Sequence, residues 1–592
     1  MTKPSHSLLA RFLVWRARHI SQERFILILS VLIGFTTGLV AVTMKNITHF
    51  IQSVVASEYI TQYLNPYYFI FPIIGILITL LIKRFLKEKV GEGVPFALFA
   101  ISRKNGILSP QKMYDSVITA IFTVGFGGSV GLEGPAVGTG AAIGSNLGRA
   151  MHINYRNRIL LMSCASAGAI ASIFNAPIAA IIFTIEIFSL DLTFSSLIPL
   201  LLSSISGAVT SILLQGDDHL IYYQLLTGFR IQDLPYYMLL GIFTALASVY
   251  FTRTYMFVDQ QFNKIKNPRS RVLIGAGILG VLIFLVPPLY GEGYETTNSL
   301  LNGNLIEVVD QSLLNEFTDF EYFSLLLILG LIFTKAIATS VTMSAGGVGG
   351  VFAPSLFTGA SLGFLFSRTI NDLNLGQIPE STFALVGMAG LMAGVLHAPL
   401  TAVFMIAEIT GGYELFLPLM IVSAVSFLIS RHFLPYSFYT HELAKKGDLL
   451  THNKDQVVLR LLNLKKIVEK NFSVVKPGMS LRKLIDVVSR SPRNIFPVVN
   501  DDGKLVGILT LDDIRSFMFD KALYDALVVA ELMSSPPEVV NIEEEMDEVM
   551  KKFQDTGAWN LPVVDNNRRY IGFISKSKMF SVYRRKLIEF TA

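Results

Sequence analysis

The chain has 592 residues, of which 52% are hydrophobic and only 16% charged, well short of the roughly 25% charged residues usual in a soluble globular protein. That shortfall excludes a water-soluble enzyme over the whole length, and 45 glycines exclude a simple bundle of straight spanning helices, because glycine loosens helix interiors. The single cysteine, Cys164, excludes an internal disulfide framework and a cysteine-ligated zinc cluster, and a net charge of +5 is too small to argue for nucleic acid.

Apolar runs dominate residues 25–439, and the chain then turns polar and charged up to its last residue. This reads as a membrane domain, 1–446, a linker, 447–464, and a cytosolic domain, 465–592, in two units, 465–527 and 528–592. Arg11, Arg16, Arg18 and Arg24 precede an apolar run at 25–44, which at about 20 residues is enough to span about 30 Å of hydrocarbon. No short apolar stretch with a cleavage site precedes it, so no secretory signal is expected. The basic flank and the charged tail predict cytoplasmic termini in a plasma (inner) membrane. Further long apolar segments follow at 69–82, 197–214, 238–250, 272–286, 323–334 and 415–429. Four others, at 117–148, 165–190, 344–365 and 383–409, are interrupted by Gly, Pro, Ser or Asn. Such segments suit half-helices that stop inside the membrane, where irregular backbone is tolerated only if buried in protein or lining a polar cavity. The alternative is tilted continuous helices with small packing residues.

An internal repeat decides between them. AGAIASIFNAPIAAIIFTIEI matches AGLMAGVLHAPLTAVFMIAEI, pairing Pro177 with Pro399 and Glu186 with Glu408 at one offset of 222 residues. Upstream, GGSVGLEGPAVGTGAA matches GGVGGVFAPSLFTGAS at an offset of 219, pairing Pro135 with Pro354. Broken apolar segments at matching places in two halves point to a transport site near the bilayer midplane.

Three loops share the pattern Gly-x-x-x-Pro, at 91–95, 131–135 and 350–354. Proline is favoured in a first helical turn, so each reads as a loop feeding a helix N-terminus. Helix N-termini present unsatisfied N–H groups and about half a positive charge, and several aimed at one point bind an anion without a buried cation. The alternative is glycine packing for close helix contacts.

GEGVP at 91–95, GLEGP at 131–135 and GVFAP at 350–354, with FNAP at 174–177, APLTAVFMIAEIT at 398–410 and SFYT at 437–440, resemble the signature segments of CLC chloride channels and chloride/proton exchangers. The resemblance spans the membrane region in the family's order. It implies an all-α polytopic membrane domain of two inverted repeats with broken helices, embedded in the lipid bilayer as a homodimer with one chloride pathway per subunit. It assigns anion contacts to Glu92, Gly93, Val94, Gly131, Leu132, Gly134, Val351, Phe352 and Tyr439, and the gate to Glu133, whose side chain competes with the anion and takes up an outer proton. A carboxylate near helix N-termini can occupy the anion's place and leaves once protonated.

Three positions depart from the family. Glu92 stands where serine is usual, and an ionised carboxylate there would repel chloride. Ile187 occupies the inner proton-transfer position, and the neighbouring Glu186 faces about 100° away on a helix. Leu132 replaces a basic residue beside the gate. Ile187 favours a channel or a weakly coupled exchanger over a fully coupled chloride/proton antiporter. Lys335 is expected to snorkel or to pair with a carboxylate, Glu408 to cap a helix or bond backbone at a bend, and Asn175 and His397 to form hydrogen bonds at turns or helix ends.

The tail repeats as well: FPVVN at 496–500 matches LPVVD at 561–565, and Gly507 matches Gly572, all at an offset of 65. Each unit reads helix, strand, polar turn, strand, helix, and the pair resembles tandem cystathionine-beta-synthase (CBS) domains, an α/β module. Within that resemblance Gly507, Thr510 and Asp513 keep a pattern that can bind an adenine nucleotide, whereas the second unit has Lys578 in place of the Asp; a structural, dimerising module is the favoured reading. No other cofactor and no metal is expected. A divalent-cation transporter with such a tail ranks far behind, because Glu133, Glu186 and Glu408 sit in separate motifs. A sensor whose membrane part only anchors it does not explain the repeated broken helices.

Overall fold

In the computed structural model, which describes residues 8–55, 69–86, 93–188, 193–216, 221, 229–304, 323–445, 462 and 464–591, the interruptions foreseen in the four broken segments are real. The chain divides into two compact units, 1–449 and 450–592. The first is helical: α1 (Leu8–His19), α2 (Gln22–Val55), α3 (Ile70–Phe85), α4 (Val94–Arg103), α5 (Asp115–Gly125), α6 (Glu133–Ala150), α7 (Tyr155–Phe174), α8 (Pro177–Phe188), α9 (Phe194–Gln215), α10 (Leu234–Asn263), α11 (Pro268–Leu285), α12 (Tyr294–Leu301), α13 (Phe323–Ser344), α14 (Phe352–Asp372), α15 (Glu380–Leu396), α16 (Pro399–Ile409), α17 (Phe416–Phe433) and α18 (His441–Lys445). Among the described residues, α2, α7, α9, α10, α11, α13 and α17 are long and apolar enough to cross a membrane. The helix α1 lies outside the apolar-run pattern because its three arginines dilute a short apolar face.

The helices show which side meets lipid. On α2, Ile28, Leu32, Phe35 and Leu39 are exposed while Phe25, Leu29, Ile33 and Thr37 are buried. The buried set recurs every four residues and the exposed set every three or four, so one stripe packs inward and the other forms the outer face of the helix bundle.

The breaks have local causes. Asn175 and His397, equivalent in the two repeats, end α7 and α15 with φ of 53° and 55°, in the left-handed region that few residues other than Gly and Asn adopt. Pro177 and Pro399 then open α8 and α16, where a missing N–H costs nothing. The breaks between α5 and α6 and between α13 and α14 hold the loops at 126–132 and 345–351.

The two halves meet about a local twofold relation. Gly131 and Gly350, 219 residues apart and equivalent in the repeat, form an antiparallel bridge with each other. The N–H of Gly131 donates to Gly350 O at 2.9 Å and that of Gly350 to Gly131 O at 2.7 Å. A residue paired antiparallel with its own repeat counterpart lies on a local twofold axis that relates the two halves. The same correspondence recurs where α6 packs on α7 and α14 on α15: Gly140 lies against Ala165, and their equivalents Gly359 and Gly387 lie against each other.

The second unit contains two small sheets. β1 (Ile495–Val499) pairs antiparallel with β2 (Leu505–Thr510); β4 (Asn560–Val564) pairs antiparallel with β5 (Tyr570–Ser575) and parallel with β3 (Val540–Asn541). Both hairpins carry a register shift at equivalent places, Val498/Val499 and Val563/Val564. Each sheet backs onto its own core, one around Phe496, Leu509 and Leu484 and the other around Phe553, Leu561 and Ile574.

Candidate functional site

The three helix N-termini meet around Gly134. Gly93 precedes α4 with φ +69°, and a Cβ there would stand 2.6 Å from Gly134 O. A Cβ on Gly134 would in turn stand 3.1 Å from Gly350 Cα. Thus the starts of α4, α6 and α14 approach to backbone contact, which only glycine permits. Val94, Leu132, Val351 and Phe352 are buried at these starts, and the Phe352 ring packs on Phe174 of the FNAP segment at 4.9 Å between centroids. By helix geometry the first-turn N–H groups have no partner within their own helix. Gly91 and Glu92 lie outside the described residues.

Glu133 opens α6 and is 2% exposed. Its Oε1 accepts from Tyr294 Oη at 3.0 Å. Its Oε2 is buried and closes no hydrogen bond of normal geometry, although the Ala353 amide at the start of α14 faces the carboxylate. A Cβ on Gly131 would collide with Oε2, and one on Gly350 would stand 3.4 Å from it. The carboxylate therefore sits between the two bridged glycines, against the N-terminus of α14, where an anion would gain from the helix dipole. Tyr439, 4% exposed, follows Phe438, whose N–H donates to Val395 O at 3.1 Å, and it lies within electrostatic reach of Glu133.

Glu186, expected beside the inner proton position, caps a helix of the other repeat. Both of its oxygens are taken: Oε1 by Leu400 N at 3.0 Å, and Oε2 by Thr401 N at 2.8 Å and Thr401 Oγ1 at 2.5 Å. Beside it Ile187 is a buried aliphatic. Glu408 caps as expected, but the helix it caps belongs to the other repeat, through Ile178 N at 3.0 Å and Ala179 N at 2.7 Å. Lys335 does not snorkel. It is wholly buried, donates to Gly291 O at 3.0 Å, and lies 4.8 Å from the centre of the Phe357 ring. Asn175 and His397 sit at helix ends, yet Asn175 Oδ1 and His397 Nε2 are buried without a hydrogen-bond partner, so backbone conformation, not side-chain bonding, is their visible role.

The sequence reading passed over Glu292. It is 8% exposed, and its Oε1 accepts from the N–H of Leu132, the residue before the gate position, at 3.1 Å. Its signal was present: Gly291-Glu292-Gly293 is a glycine-flanked carboxylate in an apolar region, the same reason for singling out Glu133.

In the tail, Thr510 and Asp513 are bonded to each other. Asp513 Oδ2 accepts from Thr510 N and Thr510 Oγ1, both at 2.7 Å, which forms a capping box on a helix of only five residues, Leu511–Arg515. In the second unit the equivalent Ser575 donates to Glu469 Oε1 at 2.8 Å, and Arg493 pairs with Glu469 Oε2 at 2.7 Å.

Inverted repeats, helices broken at matching places and three N-termini meeting at a glycine contact define a polytopic integral membrane protein with an interior site. The chain belongs to the voltage gated chloride channel family, whose family description matches residues 74–431, and CBS domains match at 464–520 and 529–585. It is 30% identical over 383 residues to the putative chloride channel protein ClcB-like of Ralstonia nicotianae, covering 63% of this chain and 84% of the relative. It is 27% identical over 426 residues to the H(+)/Cl(-) exchange transporter ClcA of Vibrio vulnificus, covering 68% of this chain and 86% of that protein. Its fold is similar to the crystal structure of a slow cyanobacterial Cl-/H+ antiporter, with a TM-score of 0.61 and 21% identity over 71% of this chain and 97% of the other.

Proposed function

We propose that this protein carries anions, chloride foremost, across a membrane through the site where α4, α6 and α14 meet, as a homodimer with one pathway per subunit. Glu133 is its gate. The observation that carries the reading is the position of the Glu133 carboxylate: buried between Gly131 and Gly350, with Oε2 unbonded and the Ala353 amide facing it. A carboxylate in that place excludes a second anion while ionised and yields it when protonated. Gly93, Val94, Gly131, Leu132, Gly134, Val351 and Phe352 line the path, chiefly through backbone, with Tyr439 at its inner end; Glu92, by sequence a member of the first loop, is assigned to the path by the family resemblance alone.

Passive conduction or weakly coupled exchange fits this chain's own residues. Ile187 cannot carry a proton, and both oxygens of Glu186 are bonded to α16. Full chloride/proton antiport is the second reading, favoured by the ClcA relative's name. The basic residues ahead of α2 support cytoplasmic termini in a plasma membrane. The tail acts as a folding and dimerising module, because Thr510 and Asp513 satisfy each other instead of facing a nucleotide.

The test is chloride flux in liposomes with proton uptake recorded alongside. Wild-type flux should rise as pH falls, and Glu133→Gln should remove that dependence. Persisting pH dependence in Glu133→Gln overturns the gate assignment. Uphill proton movement driven by a chloride gradient decides for the coupled reading.

A further inference from the structure

The turn between α11 and α12 grips the gate segment from two sides. Gly291 N donates to Gly127 O at 3.3 Å, and Tyr290 Oη to Gly125 O at 3.1 Å, so the turn is fixed to the end of α5. From that base, Glu292 takes the N–H of Leu132, and Tyr294, two residues on, donates to the Glu133 carboxylate itself. Lys335 reaches up from α13 to Gly291 O, and its Nζ stands 3.3 Å from where a Cβ on Gly293 would lie. Lys45 of α2 lies within electrostatic reach of Glu292, as Tyr439 does of Glu133. Glu133, Glu292 and Lys335 are buried, at 2%, 8% and 0% exposure, and Tyr294 is half-buried.

Two carboxylates share the enclosed part of the cluster with one ammonium, Lys335, while Lys45 is only half-buried at its edge, so the enclosed part carries an excess negative charge. Burying an uncompensated charge is costly, and a group in that position takes up a proton instead. Neighbouring carboxylates then titrate as a pair rather than as separate groups. Apart from Glu133 the cluster lies outside all three signature loops, and none of its other residues had a transport role in the reading above.

We propose that Glu292 is a second carboxylate of the gate, titrating together with Glu133 and, against the ammonium of Lys335, setting the pH at which Glu133 gives up its place. Glu292 is a positioning residue: it acts through Glu133 and the Leu132 amide, not on the anion. This rests on Glu133 being the gate. Because a like charge nearby favours protonation, removing Glu292 makes Glu133 harder to protonate; removing Lys335 makes it easier.

The experiment is the pH profile of chloride flux in liposomes for the full chain. Glu292→Gln should move the midpoint to lower pH, and Lys335→Met to higher pH, each by at least tenfold in proton concentration, while Glu292→Asp stays near wild type. In a Glu133→Gln background neither change should restore pH dependence. A merely structural role does not predict opposite shifts. Unchanged midpoints, or shifts in the same direction, overturn the proposal and leave the gate standing when Glu133→Gln is flat; a pH-dependent Glu133→Gln removes the gate itself. If one variant fails to assemble, the sign of the other's shift decides.

Discussion

Glu186 and Glu408 are exchanged between the repeats: each ends a helix in its own half and caps the first turn of the equivalent helix in the other. Glu186 on α8 binds Leu400 and Thr401 of α16, while Glu408 on α16 binds Ile178 and Ala179 of α8. The partners obey the 222-residue offset, Ile178 with Leu400 and Ala179 with Thr401. Two helices that would otherwise expose N-terminal amides inside the membrane satisfy each other's ends.

This exchange predicts a ranked pair of stability losses. Removing either carboxylate leaves two amides without their acceptor, and hydrogen bonds to a charged group contribute about 1.5–3 kcal/mol each at most. Glu186 also accepts from the Thr401 hydroxyl, a bond that Ala179 cannot offer Glu408. Glu186→Ala should therefore destabilise more than Glu408→Ala, by about 1 kcal/mol. Thermal unfolding of the detergent-solubilised protein gives the order. A Glu186→Ala protein as stable as wild type but altered in proton movement would return Glu186 to proton transfer.

The meeting of the helix starts predicts a sharp contrast between two glycines. At Gly93, alanine would place its Cβ 2.6 Å from Gly134 O in a backbone conformation of φ +69°. Neither can relax without moving α4 away from α6. At Gly277, within α11, nothing lies within 4 Å of an added Cβ. Gly93→Ala should lower chloride flux by roughly tenfold or more, since strained left-handed conformations cost on the order of 1–3 kcal/mol before any clash is counted. Gly277→Ala should match wild type in flux and be marginally more stable. Equal flux in the two variants would show that the contact at Gly134 is not needed for transport.

Which parts of this architecture could be read from residues follows from range. The broken helices were legible because their interruptions are local: Asn175-Ala176-Pro177 and His397-Ala398-Pro399 carry the stop and the restart within three residues. The twofold relation of the halves became visible only where Gly131 meets Gly350, because an offset between repeats says nothing about direction. Glu133 stood out through its glycine neighbours and its repeat context. Glu292 has glycine on both sides but no counterpart in a repeat, and its partners, Leu132 and Lys335, are 160 and 43 positions away. Of the two expectations for Lys335, snorkelling is the one the structure rejects, since a snorkelling lysine and one buried near a carboxylate look identical in sequence. α2 and α10 run well past their apolar cores because polar residues interrupt them, Lys45, Asn46, Thr48 and His49 in α2 and Asp259 to Gln261 in α10, and an apolar-run reading stops early there.

The tail offers a pH-dependent test away from the membrane. Burial would raise the Glu469 carboxyl, but hydrogen bonds from Ser575 and Arg493, with the charges of Arg493 and Lys578, outweigh it and hold the group below its ordinary value of 4.5. A carboxyl held low in the folded chain contributes stability that is present above its unfolded value and is lost as pH falls through the lower, folded one. Glu469 also exchanges backbone hydrogen bonds with Phe573, N to O at 2.8 Å and 2.9 Å, so that amide reports the local unit. At neutral pH the Phe573 amide of the full chain should exchange about two- to fivefold more slowly in wild type than in Glu469→Gln, matching the 0.5–1 kcal/mol typical of a partly exposed ion pair. Compared at matched pH, so that intrinsic exchange rates cancel, the ratio should shrink towards one as pH falls below 4.5. A ratio that is constant from neutral to acid pH would mean that the Glu469 charge contributes nothing, and that the Ser575 and Arg493 bonds only fill space at the strand end.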